Sequence, residues 1–279
     1  MLRSLFTGIS GLGAHQQMLD VTANNIANVN TTGYKGSHAV FEDTLSQTLS
    51  GSSGATGAAG VTAGTGGTNA EQIGLGVKLA GTELSFTQGA SQATGVTSNM
   101  LINGDGFFVI DKGGQQLYTR AGNFTLDNGG NLVTPDGSRV VDATTGNPIN
   151  LSGLISTPAT PSPYVSWNID ASGNVNAVDS TGATTVLGQV AVATFANPNG
   201  LEKVGDTAFA ASANSGAAAI GAANTGARGS ISSGYVEMSN VDLSQELTNL
   251  IIAERGFQAN SKVITTSDEV LQTLVNLKQ

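Results

Sequence analysis

The stretch DLSQELTNLIIAERGFQANSKVITTSDEVLQTLVNLK, Asp242 to Lys278, places apolar side chains at Leu243, Leu247, Leu250, Phe257, Ile264, Leu271 and Val275. The steps alternate between three and four residues once Glu254, Ser261 and Asp268 are counted in the gaps. That period predicts an α-helix over 242–277 with a narrow seam, the pattern of a helix that packs against another helix. Ser239 or Asn240 can cap its start. Asp242 and Glu246 suit the positive end of the dipole, and Lys278 suits the last turn.

The other end of the chain repeats the pattern. Leu2, Leu5, Ile9, Leu12, Leu19 and Ile26 form a second seam, with Ala23 on it and Gln16 filling the gap. Gly8, Gly11 and Gly13 interrupt this helix, and each glycine costs about 1 kcal/mol relative to alanine. Alone, such a helix is marginal. The two ends are therefore expected to pair as an intramolecular coiled coil and to use the same seams on neighbouring subunits, ordering only on assembly. Asn24, Asn25, Asn28, Asn30 and Gly33 follow, where the helix must end and the chain must turn. Asparagine bonds to nearby backbone and tolerates left-handed geometry. Packed amides of this kind can also bond across subunits and fix register.

Between the ends the chain changes character. Residues 51–68, GSSGATGAAGVTAGTGGT, are charge-free and of low complexity, the composition of a flexible loop or linker. No GK[ST] follows, so the glycines do not make a phosphate loop. From Gly74 onward short apolar runs alternate with turn signals at Gly104–Gly106, Ala121–Gly122, Asn128–Gly130 and Asp136–Gly137. That rhythm predicts an all-β domain. TPATPSP, Thr157 to Pro163, reads as an extended connector. The expected organisation is a terminal helical domain from 1–35 and 240–279, a linker over 36–73, and a β-rich domain over 74–239. In fold class this is a mainly β central domain flanked by paired N- and C-terminal helices.

Bulk composition narrows the function. Of 279 residues only 11% are charged, well below the ~25% of ordinary domains. Glycine is high at 38, and the net charge is −9. Nucleic acid needs clustered Lys and Arg, which are absent. The chain has no cysteine, so disulfides and thiolate metal sites are excluded. No run reaches the ~18 apolar residues of a membrane span, and the N-terminus lacks the continuous apolar region of a secretory signal. The D-x-x-G turns at Asp127, Asp170 and Asp179 lack the acidic ladder of a calcium loop. His15 and His38 have no serine or aspartate partner at motif spacing. Neither an enzyme nor a cofactor is expected.

Three stretches carry a resemblance. SGLGAHQQMLDVTANNIANVNTTGYK, Ser10 to Lys35, resembles the N-terminal signature of bacterial flagellar rod and hook proteins. INGDGFFVI and LYTRAGNFTLDNGGNLV resemble the start of that family's β-domain. SGYVEMSNVDLSQELTNLIIAERGFQANSKVITTSDEVLQTLVNLKQ, Ser233 to Gln279, resembles its C-terminal signature. Within the family, RGFQANSK, Arg255 to Lys262, and NPNGLEKVGDTAFAASANSG, Asn197 to Gly216, are most similar to hook subunits. Distal rod subunits are the near relatives and more often read RAYEINSK at the first of these.

The resemblance implies a structural subunit that polymerises with itself into a hollow flexible tube, a universal joint carrying torque from rod to filament. The alternative within the family is the drive shaft of the distal rod. It further implies export through the flagellar type III apparatus without a cleaved signal, a position in the basal body or hook outside the cell, and the distal rod, hook cap and hook–filament junction proteins as neighbours. A reading of another class is a secreted β-rich adhesin with a helical oligomerisation stalk.

Overall fold

In the computed structural model, residues 2–54, 66–154 and 164–277 are described. The connector at Thr157 to Pro163, most of the low-complexity run and Lys278 lie outside them. The chain is mainly β with one long helix at each end, α1 over Leu2–Ala27 and α2 over Leu243–Asn276. It divides into two compact units. One comprises Met1–Ile26, Ser37–Glu83 and Leu243–Gln279; the other comprises Ala27–Gly36 and Leu84–Asp242.

In the helical unit the two helices lie side by side and antiparallel. Ser4 meets Ser267 at 3.4 Å between hydroxyls, Gly8 faces Ile264, Gly11 faces Asn260, and His15 lies against Gly256. At the far end the Asn25 amide donates to Glu246 Oε1 at 3.2 Å. The contact is made by glycines and polar side chains as much as by aliphatic ones. A Cβ on Gly11 would stand 2.8 Å from the Asn260 amide, so the glycine permits the approach. Gly13 faces open space.

The same unit holds a two-stranded ribbon; the sequence reading took its part before residue 74 for a linker and placed its part from 74 onward in the β-rich domain, whereas 37–83 belong with the helices. Ser37–Asp43 pairs with Val77–Leu84, and Ser46–Ser50 runs antiparallel to Glu71–Gly74, with a last bridge between Ser53 and Thr68. The low-complexity run, 51–68, falls in sequence between the strands Ser46–Ser50 and Glu71–Gly74. Along SHAVFED the burial, rather than the polarity, alternates between half-buried and exposed from Ser37 to Phe41, as the two faces of a strand do. The ribbon is held to α1 by Ser10, whose hydroxyl accepts from the Val77 amide at 3.3 Å, and by Phe41 tilted against His15.

The β-rich unit is built on a sheet whose central strand is Phe107–Lys112. Gln115–Thr119 and Ala191–Thr194 both pair with it antiparallel, as does Arg139–Val140. Phe108 and Ile110 point into one apolar cluster with Met100, Phe124, Leu132 and Val175. Phe107 and Val109 point into a second with Tyr118 and Phe209. A strand buried on both faces needs the unbroken run FFVI rather than alternation. Phe86, Phe195 and Phe209 stack edge-on around Phe107 with centroids 5.2–6.0 Å apart.

A smaller sheet of Tyr164–Ile169, Asn174–Asp179 and Thr184–Gln189 forms a three-stranded meander. The expected turns at Gly104–Gly106, Asn128–Gly130 and Asp136–Gly137 are found, with Gly104, Gly106, Gly130 and Gly137 at positive φ, whereas Ala121–Gly122 makes no turn. The D-x-x-G repeats close alike: the amides of Gly130, Gly173 and Gly182 donate to the carbonyls of Asp127, Asp170 and Asp179 at 2.9–3.1 Å, each glycine at positive φ. Their aspartates accept from turn amides, Asp127 Oδ1 from Gly129 and Asn131 at 2.8 and 2.7 Å.

Candidate assembly surfaces

The seam residues divide by exposure. Leu5, Leu12, Leu19, Ile26, Leu250, Ile264 and Leu271 are half-buried, whereas Ile9, Leu243, Leu247, Phe257 and Val275 are exposed. The side chain of Leu2 lies outside the described set. Glu254, Ser261 and Asp268 face solvent. The deepest positions of α2 are Glu246 and Ala253, neither of which the period singles out as apolar seam.

A further row was not visible as a seam. Ile252, Val263 and Val270 recur at helical spacing and are 54%, 42% and 48% exposed. Leu274 and Phe6 are also largely open, as are Leu45, Leu49, Ile73 and Leu75 on the ribbon. Among the described residues no helix is long and apolar enough to cross a membrane.

The asparagine-rich segment has a more particular geometry than a helix stop. Asn25, 1% exposed, donates to the Ser37 carbonyl at 2.8 Å and accepts from the Ser37 amide at 3.1 Å, fixing where the ribbon leaves the helix. Asn28 accepts from the amide and hydroxyl of Thr31 at 3.1 and 3.0 Å, turning the chain. Asn24 and Asn30 are exposed.

Residues 27–36 then form a strap on the β-rich unit. Gly33, at φ +68, donates to the Glu237 carbonyl at 2.7 Å. Its absent Cβ would stand 2.3 Å from the Ala121 nitrogen, so no other residue fits there. The sequence reading ends the helical domain at Lys35, but the strap belongs with the β-rich unit.

At the end of the strap is a buried ionic knot. The Lys35 ammonium donates to Glu237 Oε1 at 2.6 Å and to the Thr87 carbonyl at 2.7 Å, with neither ionic side chain exposed. Gly89 N–H donates to the same oxygen at 2.9 Å, and Arg120 Nη1 reaches Oε2 at 3.4 Å. Burial pushes the Lys35 pKa below its ordinary range. The charge and hydrogen bond of Glu237 oppose that, and the charge of Arg120 adds to it. Burial likewise lowers Arg120, against the pull of Glu237 and Asp105. One carboxylate thus faces two cations and one further donor, the Gly89 amide, so the buried charge is paired and hydrogen-bonded. Lys203 covers the strap, its Nζ 4.5 Å from the Tyr34 ring and donating to the Lys35 carbonyl at 2.9 Å. Sequence reasoning missed the knot. The only hint was a lysine, an arginine and a glutamate in an otherwise charge-poor chain.

Three family models match the chain. Residues 5–35 match the flagella basal body rod protein model, residues 101–177 the D1 domain of flagellar hook protein FlgE/F/G, and residues 232–277 the C-terminal model of flagellar basal body rod FlgEFG proteins. The chain is 49% identical over 280 residues to the flagellar basal-body rod protein FlgG of Bacillus subtilis, with all of both chains covered. It is 39% identical to the rod protein FlgG of Agrobacterium fabrum, covering 96% of this chain and 97% of the relative. The flagellar hook protein FlgE of Borreliella burgdorferi is 28% identical with both chains fully covered, but over 447 aligned positions.

Proposed function

The chain belongs to the flagellar basal-body rod and hook protein family, and we propose that within it this protein is a subunit of the distal rod, the drive shaft, rather than of the hook. It is an axial structural protein of the flagellum and serves motility, and its relatives are structural proteins, not enzymes. The observation that carries the rod reading is the length of the match. Rod relatives align end to end over 280 residues, whereas the hook relative needs 447 positions to cover the same chain. The endings that resemble hook subunits, RGFQANSK above all, are short stretches and weigh less than the full-length match. Hook remains the second reading on those residues.

In the proposed tube α1 and α2 pair as a coiled coil and line the inner wall. The half-buried seam holds the pair together, and the exposed rows Ile252–Val263–Val270 and Leu243–Leu247 meet neighbouring copies. The ribbon packs between copies. An isolated two-stranded ribbon is marginal, and this one exposes Leu45, Leu49 and Ile73. Its neighbours are copies of itself, the hook protein beyond, and the type III export apparatus that delivers it; contact with the hook cap and the hook–filament junction belongs to the hook reading. Gold-labelled antibody on purified basal bodies tests the assignment. Label inside the outer rings is the expected result; label only beyond them makes the protein a hook subunit.

A further inference from the structure

The chain passes between its two units at 26/27, 36/37, 83/84 and 242/243. Inside the β-rich unit, the segments beside three of these passages are tied together by two side chains, and both belong to the last of the three. Asn240 Oδ1 accepts from the Gly36 amide at 2.9 Å. Its Nδ2 donates to the Ser85 carbonyl at 2.8 Å and to Thr87 Oγ1 at 2.9 Å. Three residues upstream, Glu237 holds Lys35, Gly89 and Arg120. The Ser85 amide closes the ring by donating to the Gly36 carbonyl at 2.9 Å.

We propose that Glu237 and Asn240 form a clasp by which the C-terminal segment locks the N-terminal strap, so that residues 27–36 dock only after residues 237–240 are seated. The reason is electrostatic. Lys35 is fully buried. Without Glu237 its ammonium would enter the β-rich unit with a carbonyl for a partner and the Arg120 cation nearby, and a buried charge stripped of its counter-ion is strongly disfavoured. Two further anchors of the strap lead to the same place, since Gly33 donates to the Glu237 carbonyl and Gly36 to Asn240, beside those from Ser85 and Lys203. A chain that emerges N-terminus first exposes its strap long before Glu237 exists to receive it. The sequence separation of 202 between Lys35 and Glu237 also makes this closure slow, because a long loop must close before the contact contributes. The strap of an incomplete chain therefore stays open. This inference does not depend on whether the subunit is of rod or hook.

Hydrogen exchange on the full-length chain tests it, comparing wild type with E237Q, K35M and N240A. Peptides over 28–36 are expected to exchange about a hundredfold faster in E237Q and K35M, while peptides over 107–112 change by less than about threefold. K35M leaves Arg120 and Glu237 paired, so it reports on the strap even if E237Q unfolds. N240A is expected to loosen 34–36 and 85–88 together. Pulse labelling during refolding of the wild type should protect 107–112 before 28–36. A strap that keeps wild-type protection in both K35M and E237Q overturns the proposal. So does a core that opens in step with the strap in every variant, or a strap protected before the core.

Discussion

The ring of His15 occupies the place where a Cβ on Gly256 would stand, 2.4 Å from its Cε1, and this fit brings the two terminal helices together. Gly256→Ala is therefore expected to push α1 from α2 and to cost the helical unit about 1–3 kcal/mol, the usual range for overpacking. His15→Ala empties the space, so the double variant G256A/H15A should recover most of the loss. Denaturation followed by helix circular dichroism reads both, and additive single effects would show that the two residues do not meet in solution.

Gly33 sits under a harder constraint, because backbone atoms of Arg120 and Ala121 surround the missing Cβ and φ is +68. Backbone cannot yield as a side chain can. Gly33→Ala combines left-handed strain of about 1 kcal/mol with a steric clash. The strap should come off while the sheet around Phe108 persists. Limited proteolysis within 27–36, with an unchanged thermal transition for the β-rich unit, is the expected result. A strap as resistant as wild type would contradict it.

Asp136 gives the β-rich unit a pH dependence. Burial alone would raise its pKa, but the hydroxyls of Thr134 and Ser138 and the Lys112 ammonium, 3.1 Å away, outweigh that and lower it to about 2. A carboxylate whose folded pKa lies below its unfolded value, near 4, stabilises the fold above the unfolded value. That contribution, at most about 2 kcal/mol, is lost as pH falls from about 4 to about 2. Asp127 and Asp170 are lowered too and act in the same direction. Asp136→Asn should flatten the acid limb of a stability-versus-pH curve and leave the neutral plateau lower. An unchanged acid limb would refute the assignment.

Period and turn chemistry made much of this fold legible. The expected helix at 242–277 is found at Leu243–Asn276, and the D-x-x-G turns close as hairpin chemistry requires. Three features were not legible, each for a physical reason. Gly8 and Gly11 read as defects in a helix, because the local cost of glycine is visible in sequence and the closeness of a partner helix is not. The ribbon strand Ser37–Asp43 was absorbed into a linker because a Gly- and Ala-rich run nearby dominates the composition. The strap was assigned to the wrong unit because its anchor is one lysine whose partner lies 202 residues away. Pairings of that range leave no periodic trace, and a buried ion pair is indistinguishable by sequence from two solvated charges.

The exposed row on α2 gives the sharpest test of assembly. Val270 is 48% exposed in the isolated chain and continues the line of Ile252 and Val263. In the monomer Val270→Asp replaces one poor helix former by another at a wet position, so stability should move by no more than about 0.5 kcal/mol. In a tube whose copies bury that row, the same carboxylate would lose its water without gaining a partner, and an unpaired buried charge opposes association strongly. Growth should fall by at least about a hundredfold, as read by sedimentation and negative-stain microscopy. Thr265→Asp carries the same added charge at an exposed position off the row and should still polymerise. If both variants assemble like wild type, the row is not an interface. If both fail alike, net charge rather than this surface governs assembly.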